Sequence, residues 1–410
     1  MKIAYLTGEY PRATDTFIQR EVAALRNLGL TVETCSIRRT GPEHLVGEEQ
    51  TSEAARTFHV LPSVFHPLKM TRAKLSALRN PVRFFRTLAL AWQTAPKGLK
   101  GRLYNLIYFG EALVLAYHLR RCGVQHLHNH IAKSSCTVAM LTSELSGIPY
   151  SFTLHGPDIF FAPDHWRLDE KIARARFVAC ISEFCRSQAM FLSAPESWNK
   201  LKIIHCGVDP RRYMPGTRAG NRLMFVGRLA AVKGVPVLLD ALAQARATWP
   251  DLTLTLVGDG PDRAALEAQA SALGIMEAVR FAGYRSQSDV ASLLANHDAL
   301  VLPSFAEGVP VVLMEAMATE MPVIATMVGG VSELVQDGES GRLVAPGDTD
   351  ALRAAILSVM GDSAARSRMG ALGRAKVEAE FTAATEAARL ARLFRSGPDL
   401  PPEKRPEVPS

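Results

Sequence analysis

Two glutamates are spaced to suit a ligand that carries hydroxyl groups at both ends. Glu307 and Glu315 are separated by seven residues in the stretch LPSFAEGVPVVLMEAMATEMPVIAT. The pattern predicts a loop at Glu307, a helix over 309–319 and a strand over 323–325. If most of this span is helical, Glu315 lies about two turns beyond the helix start, on nearly the same side as Glu307. The free N–H groups of the helix start would lie between the two carboxylates.

Free amides at a helix start bind anions well. The segment therefore offers a carboxylate, anion-binding amides and a second carboxylate, an order that suits a sugar–diphosphate–ribose ligand. The spacing alone also fits a surface helix with two solvated glutamates.

A pair of cations follows a second predicted strand. The strand over 222–226 leads into Gly227-Arg228-Leu229 and then Lys233-Gly234. This order can place two positive charges beside a helix N-terminus, which favours anions both through its amides and through its dipole. Without further context, the two cations could equally be solvated.

Histidines end two other predicted strands. Gln125–His130 has histidines at alternating positions, which point to one side of a strand, and a strand over 150–154 leads directly into His155-Gly156-Pro157-Asp158. Ligands of parallel sheets bind at the carboxyl ends of the strands, so we expect His155 at a ligand crevice. A loop histidine without a role is the alternative. A metal at the alternating histidines is disfavoured, because no carboxylate or cysteine lies nearby in the sequence.

The elements that must position these residues are those of doubly wound α/β domains. Lys2–Thr7 reads as a buried strand that Gly8 breaks, and a helix with apolar residues at helical spacing leads to a strand over 32–37. This β-loop-α-β order predicts a parallel sheet covered by helices. The pattern begins again at Arg222, after the Pro/Gly-rich linker 213–221.

These motifs together resemble the retaining glycosyltransferases of the large GT4 family. The resemblance rests on the E-x7-E segment with Gly329-Gly330 and Glu333, on G-R-L followed by K-G, and on T-x-H-G-x-D at 153–158. Met321 departs from the family, which usually has glycine there. The opening EYPRATDTFI is similar to the exopolysaccharide and colanic-acid branch of the family.

The resemblance implies a GT-B fold, in which two Rossmann-like domains face each other across a cleft. It implies no cofactor and no metal, and it assigns His155, Arg228, Lys233 and Glu307 to catalysis. His130 and Asp158 would lie on the acceptor side. Donor-binding positions by resemblance are Gly8, Gly227, Arg228, Lys233, Tyr284, Glu307, Gly308, Val309, Pro310, Val311 and Glu315.

Length and composition predict two domains. The 410 residues, 48% of them hydrophobic, suffice for two cores, which we place at 1–210 and 211–380. A helix over 381–396 would cross back to the first domain, and the proline-rich 397–410 would be a disordered tail. Six scattered cysteines without a C-x-x-C pair are typical of reduced thiols in a cytoplasmic protein. The sequence shows neither a signal peptide nor a transmembrane span.

The net charge of +7 is concentrated in one window. From Ala54 to Gly110 there are ten lysines and arginines and no acidic residue. A mostly helical insertion over about 66–121 carries most of them, with breaks near Asn80-Pro81 and 95–101. It could be a solvated surface, or a pair of helices on anionic lipid at the inner face of the cytoplasmic membrane. No nucleic-acid module accompanies the patch, so a nucleic-acid partner is disfavoured.

The expected activity, implied by the family resemblance, moves a sugar from a UDP-, GDP- or ADP-linked donor to a hydroxyl of a lipid-linked saccharide in surface polysaccharide assembly. Two alternatives remain at this stage: a GT-B nucleotide-sugar epimerase, and a catalytically silent nucleotide-sugar-binding protein.

Overall fold

The chain forms two compact units. The computed structural model describes residues 1–12, 15–45, 47–156 and 158–399. Of the described residues, one unit comprises Met1–His205 together with 386–399, and the other comprises Cys206–Thr385. The sequence predicts the boundary five residues later, at 210.

The first unit is built on a seven-stranded sheet with the order β3-β2-β1-β4-β5-β6-β7, in which every neighbouring pair is parallel. The order changes direction between β1 and β4, so the loops after these two strands flank a crevice. The strands are β1 (Lys2–Glu9), β2 (Thr31–Arg38), β3 (Phe58–His59), β4 (His126–His130), β5 (Tyr150–Leu154), β6 (Val178–Cys180) and β7 (Leu201–Ile203).

Helices connect these strands as parallel crossovers require. They are α1 (Thr16–Asn27), α2 (Glu48–Arg56), α3 (Val60–Val64), α4 (Pro67–Leu78), α5 (Pro81–Gln93), α6 (Leu99–Arg121), α7 (Ser134–Ser146), α8 (Pro163–Trp166), α9 (Leu168–Arg174) and α10 (Glu183–Phe191).

The basic insertion consists of α4, α5 and α6. Pro81 stands in the first turn of α5, where a missing N–H costs nothing, and the Asn80 side chain caps that helix by accepting from Arg83 N at 3.1 Å. The second break ends at Gly98, whose φ of +96° suits glycine, before α6 begins at Leu99. None of the described helices combines the length and apolarity that crossing a bilayer requires.

The second unit has a six-stranded parallel sheet with the order β10-β9-β8-β11-β12-β13. Its direction changes between β8 and β11. The strands are β8 (Arg222–Val226), β9 (Thr253–Val257), β10 (Val279–Gly283), β11 (Ala299–Leu302), β12 (Val323–Thr326) and β13 (Gly341–Val344). The helices are α11 (Val235–Arg246), α12 (Arg263–Ala272), α13 (Gln287–Ala295), α14 (Val311–Ala318), α15 (Val331–Leu334), α16 (Thr349–Gly361) and α17 (Ser363–Glu380).

The last helix, α18 (Ala383–Ser396), completes the core of the first unit. Phe394 is fully buried among aromatic rings, with ring centroids 6.4 Å from Tyr5 and 5.7 Å from Phe177. The Glu386 carboxylate accepts from His205 N at 2.9 Å. Burial of one phenylalanine contributes roughly 1.5–3 kcal/mol. Of the predicted disordered tail, residues 400–410 lie outside the described residues.

Candidate functional site

The loops after β8 and β11 meet at the point where the second sheet changes direction, which is where open α/β sheets bind ligands. Phe305 N donates to Val232 O at 2.8 Å and ties the two loops together. Gly234 has a φ of +63°, and a Cβ there would lie 2.1 Å from Pro303 O. The close approach therefore requires glycine at this position.

These joined loops bring a cation and a carboxylate into contact. Lys233 Nζ lies 2.5 Å from Glu307 Oε1, and the Ser304 hydroxyl donates to the same oxygen at 2.6 Å. Glu307 is only 8% exposed, whereas Lys233 is half-buried. Two of the four predicted catalytic residues are thus neighbours, although 74 positions separate them. The contact of Ser304 could not be predicted from the sequence and is a finding of the structure.

A glycine pair on the other side holds the backbone of the Glu307 loop. Gly330 N donates to Gly308 O at 2.9 Å. Gly329 has a φ of +55°, and a Cβ there would lie 1.9 Å from Glu307 O. Any side chain at this position would therefore displace the loop that carries Glu307.

Helix α14 begins later than the sequence predicts. It starts at Val311 rather than 309, because Pro310 adopts an extended cap conformation with φ −68° and ψ 120°, and the residue before a proline also avoids the helical region. Glu315 is therefore a little more than one turn into the helix, so the predicted two turns are wrong. Val309 and Pro310 are buried beneath the loop, and Val311 is half-buried.

Glu315 has a partner that sequence reasoning missed. The Tyr213 hydroxyl donates to Glu315 Oε1 at 2.8 Å, and both side chains are buried. Arg374 donates to Tyr213 O at 3.0 Å. Tyr213 stands at the start of the stretch predicted to be a linker, where composition gave no sign of a buried anchor. The signal that could have indicated this anchor is an aromatic residue within an otherwise polar, Pro/Gly-rich stretch.

The other predicted donor residues lie at strand ends but have fewer contacts. Arg228 is exposed directly after β8, and Tyr284 is 68% exposed directly after β10. Gly227 packs beside Lys233, since a Cβ there would lie 3.9 Å from Lys233 Cε. Gly8 lies inside β1 rather than after it, and a Cβ there would meet nothing within 4 Å. Packing in the first unit therefore does not require glycine at position 8.

In the first unit, β4 and β5 bring His130 and His155 together. His130 Nδ1 lies 3.0 Å from His155 Nε2, and His130 Nε2 lies 3.0 Å from Glu21 Oε1. The Tyr5 hydroxyl donates to the same Glu21 oxygen at 2.5 Å. Burial, with a smaller contribution from His130, holds the pKa of His155 well below its usual value, so its ring is neutral at pH 7. Asp158 begins a short turn at 158–161, and its side chain lies outside the described part of the chain.

The fold brings a carboxylate that is distant in the sequence close to the alternating histidines. Glu21 comes from α1, and its oxygen and nitrogens of His128 and His130 all lie within 4.8 Å of one another. Hydroxyl groups already occupy the ring nitrogens of His128, with Ser151 at 2.8 Å and Thr153 at 2.9 Å. These contacts satisfy the hydrogen-bonding capacity of the buried His128 ring within the sheet.

A second group of possible ligands in the described residues is Glu33, His118 and Cys122. Cys122 Sγ lies 3.7 Å from His118 Nε2, and that nitrogen lies 3.3 Å from Glu33 Oε1. The His118 ring also stacks on Phe58, with ring centroids 3.7 Å apart.

Two family models match successive parts of the chain. The model described as Glycosyltransferase Family 4 matches residues 15–212, and the model described as Glycosyl transferases group 1 matches residues 218–376. These two matches confirm the resemblance to the family 4 glycosyltransferases that the sequence motifs predict. The two matches correspond to the two units and include the Lys233–Glu307 contact and the His130–His155 pair.

Individual relatives cover different shares of the chain. Glycogen synthase from Mycobacterium tuberculosis is 32% identical over 214 residues, which are 51% of this chain and 52% of that enzyme, so the chain spans about half the length of this curated relative. The amylovoran biosynthesis glycosyltransferase AmsK from Erwinia amylovora is 24% identical and covers 96% of this chain and 99% of its own length.

Solved structures share the architecture. HepE from Anabaena, in a crystal structure with UDP, matches with a TM-score of 0.72 at 20% identity, over 97% of this chain and 100% of that chain. The predicted fold class is therefore confirmed: both units are Rossmann-like α/β domains of the GT-B type.

Proposed function

We propose that this protein transfers a sugar from a nucleotide diphosphate sugar to an acceptor hydroxyl during assembly of a surface polysaccharide. The observation that carries the proposal is the Lys233–Glu307 contact at the crevice of the second sheet. A cation beside a carboxylate, next to two loop backbones, suits a ligand whose phosphates adjoin a polyhydroxylated ring. The AmsK relative, named for amylovoran biosynthesis, supports the class of acceptor.

The roles follow from the charge that develops when the glycosidic bond breaks. Negative charge grows on the leaving diphosphate, where Lys233 and Arg228 stabilise it, and positive charge grows on the sugar ring. Glu307 accepts hydrogen bonds from donor-sugar hydroxyls, and Glu315 accepts from the ribose hydroxyls. The donor is UDP-, GDP- or ADP-linked, because these nucleotides share the ribose. The UDP complex of the HepE structure makes UDP the first nucleotide to test.

Retention at the anomeric carbon follows from attack on the leaving-group side, with a phosphate oxygen taking the acceptor proton. No enzyme carboxylate has to act as nucleophile, in contrast to retaining glycosidases. The basic pair supplies the positive charge that a divalent cation would otherwise provide. Transfer is therefore expected to proceed in EDTA.

The acceptor is a lipid-linked saccharide, and the protein reaches it by docking peripherally on anionic lipid at the inner face of the cytoplasmic membrane. The supporting feature is the insertion face, which we define as the exposed side chains of residues 67–107. Its exposed cations include Arg72, Lys74, Arg79, Lys97, Lys100 and Arg102. Its exposed large apolar residues are Leu68, Leu75, Leu78, Val82, Phe85, Trp92, Leu99, Leu103, Tyr104, Leu106 and Ile107.

A surface that faces only water rarely exposes this many large apolar side chains on one three-helix segment. Leu99 is 83% exposed and lies between Lys97 and Lys100. Phe85, Leu88 and Trp92 of α5 line an open apolar groove with Leu106 of α6. Basic residues interleaved with apolar ones are the pattern by which helices bind the interface of an anionic bilayer.

One experiment separates this function from its alternatives. The protein is incubated with radiolabelled UDP-, GDP- and ADP-sugars, with EDTA present, with and without membrane extract. A transferase labels lipid-linked saccharide, a nucleotide-sugar epimerase changes the free sugar nucleotide, and a silent binding protein does neither. Absence of labelled lipid with every donor contradicts the proposed function.

A further inference from the structure

Helices α5 and α6 of the insertion form an open apolar groove on the first unit. The groove has a volume of about 410 Å³, and its lining residues are Phe85, Leu88, Ala89, Trp92, Gln93 and Leu106. Ligand sites in proteins have volumes of about 300–1,000 Å³ and mostly apolar linings. The groove therefore has the size and the lining of a ligand site.

Buried contacts between α5 and α6 hold the two walls of the groove in place. Asn105 of α6 is 3% exposed, and its side chain donates to Ala91 O of α5 at 2.9 Å. Phe84 of α5 packs edge-on against Phe109 of α6, with ring centroids 5.3 Å apart. Because the walls are fixed before a ligand arrives, little side-chain ordering has to accompany binding of an apolar chain.

An arginine lies at one end of the groove. The Arg102 guanidinium carbon lies 4.6 Å from the ring centroid of Trp92, and Leu106 follows Arg102 by one turn on the same face of α6. Stacking on an aromatic face holds a guanidinium in place and leaves its N–H groups for an anion. Among the described residues, Arg102 has no ion-pair partner, and the sequence has no acidic residue between Ala54 and Gly110.

The two ends of the groove differ in available charge. Lys97 and Lys100 are exposed close to Arg102, in the connection from α5 to the first turn of α6. The opposite end is at Phe85, which is 61% exposed and lies about 10 Å from Trp92 along the helix. There the neighbouring Arg86 is already paired with Glu144 at 2.8 Å. An apolar groove that ends at unpaired cations is complementary to an anionic head with one hydrocarbon chain.

We propose that this groove binds one phosphorylated hydrocarbon chain, the lipid end of the acceptor, with the phosphate at Arg102 and the chain extending towards Phe85. This inference rests on the proposed function for the nature of the acceptor, and it names the surface of the first unit that binds it. A guanidinium binds two phosphate oxygens through parallel hydrogen bonds. Docking on bulk phospholipid needs only distributed cations and apolar tips, whereas a fixed groove with a stacked arginine fits a single molecule.

Decyl phosphate, kept below its micelle-forming concentration, is a soluble probe for this site, and calorimetric titration of the full chain measures its affinity. Decanol tests the chain without the charge, and ethyl phosphate tests the charge without the chain. Ala89→Phe fills the groove from an exposed position of α5, and Arg102→Met removes the charge beside Trp92. Ala265→Phe and Arg280→Met, at exposed positions of the second unit, are the matched controls.

We expect one molecule of decyl phosphate to bind per chain, and each of Ala89→Phe and Arg102→Met to weaken its binding at least tenfold. The first variant loses the apolar contact and the second loses the charge-assisted hydrogen bonds. Both controls should bind as wild type does, and decanol and ethyl phosphate should each bind at least tenfold more weakly than decyl phosphate. Wild-type affinity in Ala89→Phe or in Arg102→Met, or binding of many molecules without saturation, would overturn the inference.

Co-sedimentation with phosphatidylglycerol vesicles separates the lipid end of the acceptor from the bulk bilayer. Ala89→Phe should still bind vesicles while its affinity for decyl phosphate falls. Loss of both by the same factor would mean that bulk phospholipid fills the groove, and would overturn the assignment to the acceptor. If Ala89→Phe fails to fold, Arg102→Met and the titrations with decanol and ethyl phosphate still decide.

The titration needs no nucleotide sugar, so its result is separate from the test of the transferase proposal. With membrane extract as the source of acceptor, Arg102→Met should label lipid at least tenfold more slowly at low extract and recover as extract is added, because the change acts on acceptor binding. Decyl phosphate binding by a wild-type protein that labels no lipid would contradict the proposed function and leave the binding site intact. Wild-type labelling by Arg102→Met at every extract concentration would contradict only the role of the groove.

Discussion

At the residue scale, the candidate site consists of charged side chains and of the residues that hold them in place. Only some of these residues could be recognised in the sequence. Glu307, Glu315 and Lys233 can be singled out as candidates from the sequence, because their motifs are local in sequence. Ser304 and Tyr213 could not, since each acts through a side-chain contact that only the fold creates. Glu21 illustrates the limit most clearly, because 109 positions separate it from His130.

The first prediction concerns the cations at the crevice. Lys233→Ala and Arg228→Ala should each slow transfer by more than tenfold, because each removes charge stabilisation from the leaving diphosphate, and a decade in rate corresponds to about 1.4 kcal/mol. Initial rates at saturating donor provide the measurement. Arg280→Ala, an exposed position in β10 of the same unit, is the control and should retain the wild-type rate.

Near-normal turnover in both Lys233→Ala and Arg228→Ala would contradict the donor-site assignment. A similar loss of transfer rate in Arg280→Ala would indicate a general effect of net charge rather than a local effect at the crevice.

The second prediction separates the ribose contact of Glu315 from its structural contact. Glu315→Gln should weaken nucleotide binding at least tenfold, because charge-assisted hydrogen bonds contribute roughly 1.5–3 kcal/mol each. Tyr213→Phe removes the hydroxyl that holds Glu315 and should weaken binding less, since a neutral hydrogen bond contributes about 0.5–1.5 kcal/mol. Calorimetric titration with UDP, GDP and ADP measures both. Equal affinity of wild type and Glu315→Gln would mean that Glu315 is structural.

At the element scale, the sequence predicts the existence and order of helices better than their ends. The breaks around α5 could be predicted from Asn80-Pro81 and from the glycines near residue 98, because proline and glycine act locally. The start of α14 lies two residues later than predicted, because Pro310 has an extended conformation directly before the helix. The side of α5 that faces the interior could not be predicted either, because it depends on how α5 packs against α6 and α7.

The third prediction belongs to α6. Glu111 is 4% exposed, and burial raises its pKa from 4.5 to about 7, a shift that Arg38 partly opposes. Because the folded state holds its proton more tightly than the unfolded chain, stability should fall as pH rises from 4.5 through 7. Such a shift corresponds to about 3 kcal/mol. Glu111 in turn raises the pKa of Tyr108, after the larger effect of burial.

Glu111→Gln tests this assignment, because the amide does not ionise. Chemical unfolding should show the variant more stable than wild type at pH 8 and close to wild type at pH 5. Glu339→Gln, an exposed position in the second unit, is the control and should not change that pH difference. Equal effects of Glu111→Gln at both pH values would contradict the raised pKa.

At the scale of the whole molecule, the doubly wound pattern determines most of the architecture. Glycine-ended apolar strands alternating with helices predict two parallel sheets, and both are present. The sheet orders and the β3 strand, which has only two residues, were not predictable from local pattern, because strand neighbours are set by packing. The burial of Phe394 in the first unit shows why the last helix belongs there.

The fourth prediction is that the insertion face binds anionic bilayers without spanning them. Arg86 is a poor choice for testing it, because its guanidinium pairs with Glu144 at 2.8 Å within the protein. Lys97 and Lys100 are exposed near the start of α6, where glutamates also suit the helix dipole. Lys97→Glu with Lys100→Glu should lower vesicle affinity at least tenfold, since each basic residue near an anionic surface contributes about 1 kcal/mol.

Co-sedimentation with vesicles that contain anionic phospholipid, at low and high salt, measures this binding. Arg280→Glu with Arg368→Glu is the matched control, because it changes net charge equally on the second unit and should leave binding unchanged. Vesicle binding that does not depend on lipid charge, on salt or on either pair of substitutions would contradict this prediction. The insertion would then be an ordinary solvated surface.

The central claim is sugar transfer by a site in which Lys233 and Glu307 are in contact. Its most direct test is the labelling of lipid-linked saccharide from a radiolabelled nucleotide sugar by wild type, Lys233→Ala and Arg280→Ala, with the anomeric configuration of the product determined by NMR. The account predicts labelled product from wild type and Arg280→Ala, with the donor's anomeric configuration retained, and more than tenfold slower labelling by Lys233→Ala. Labelling by Lys233→Ala at the wild-type rate, or a product of inverted configuration, would contradict it.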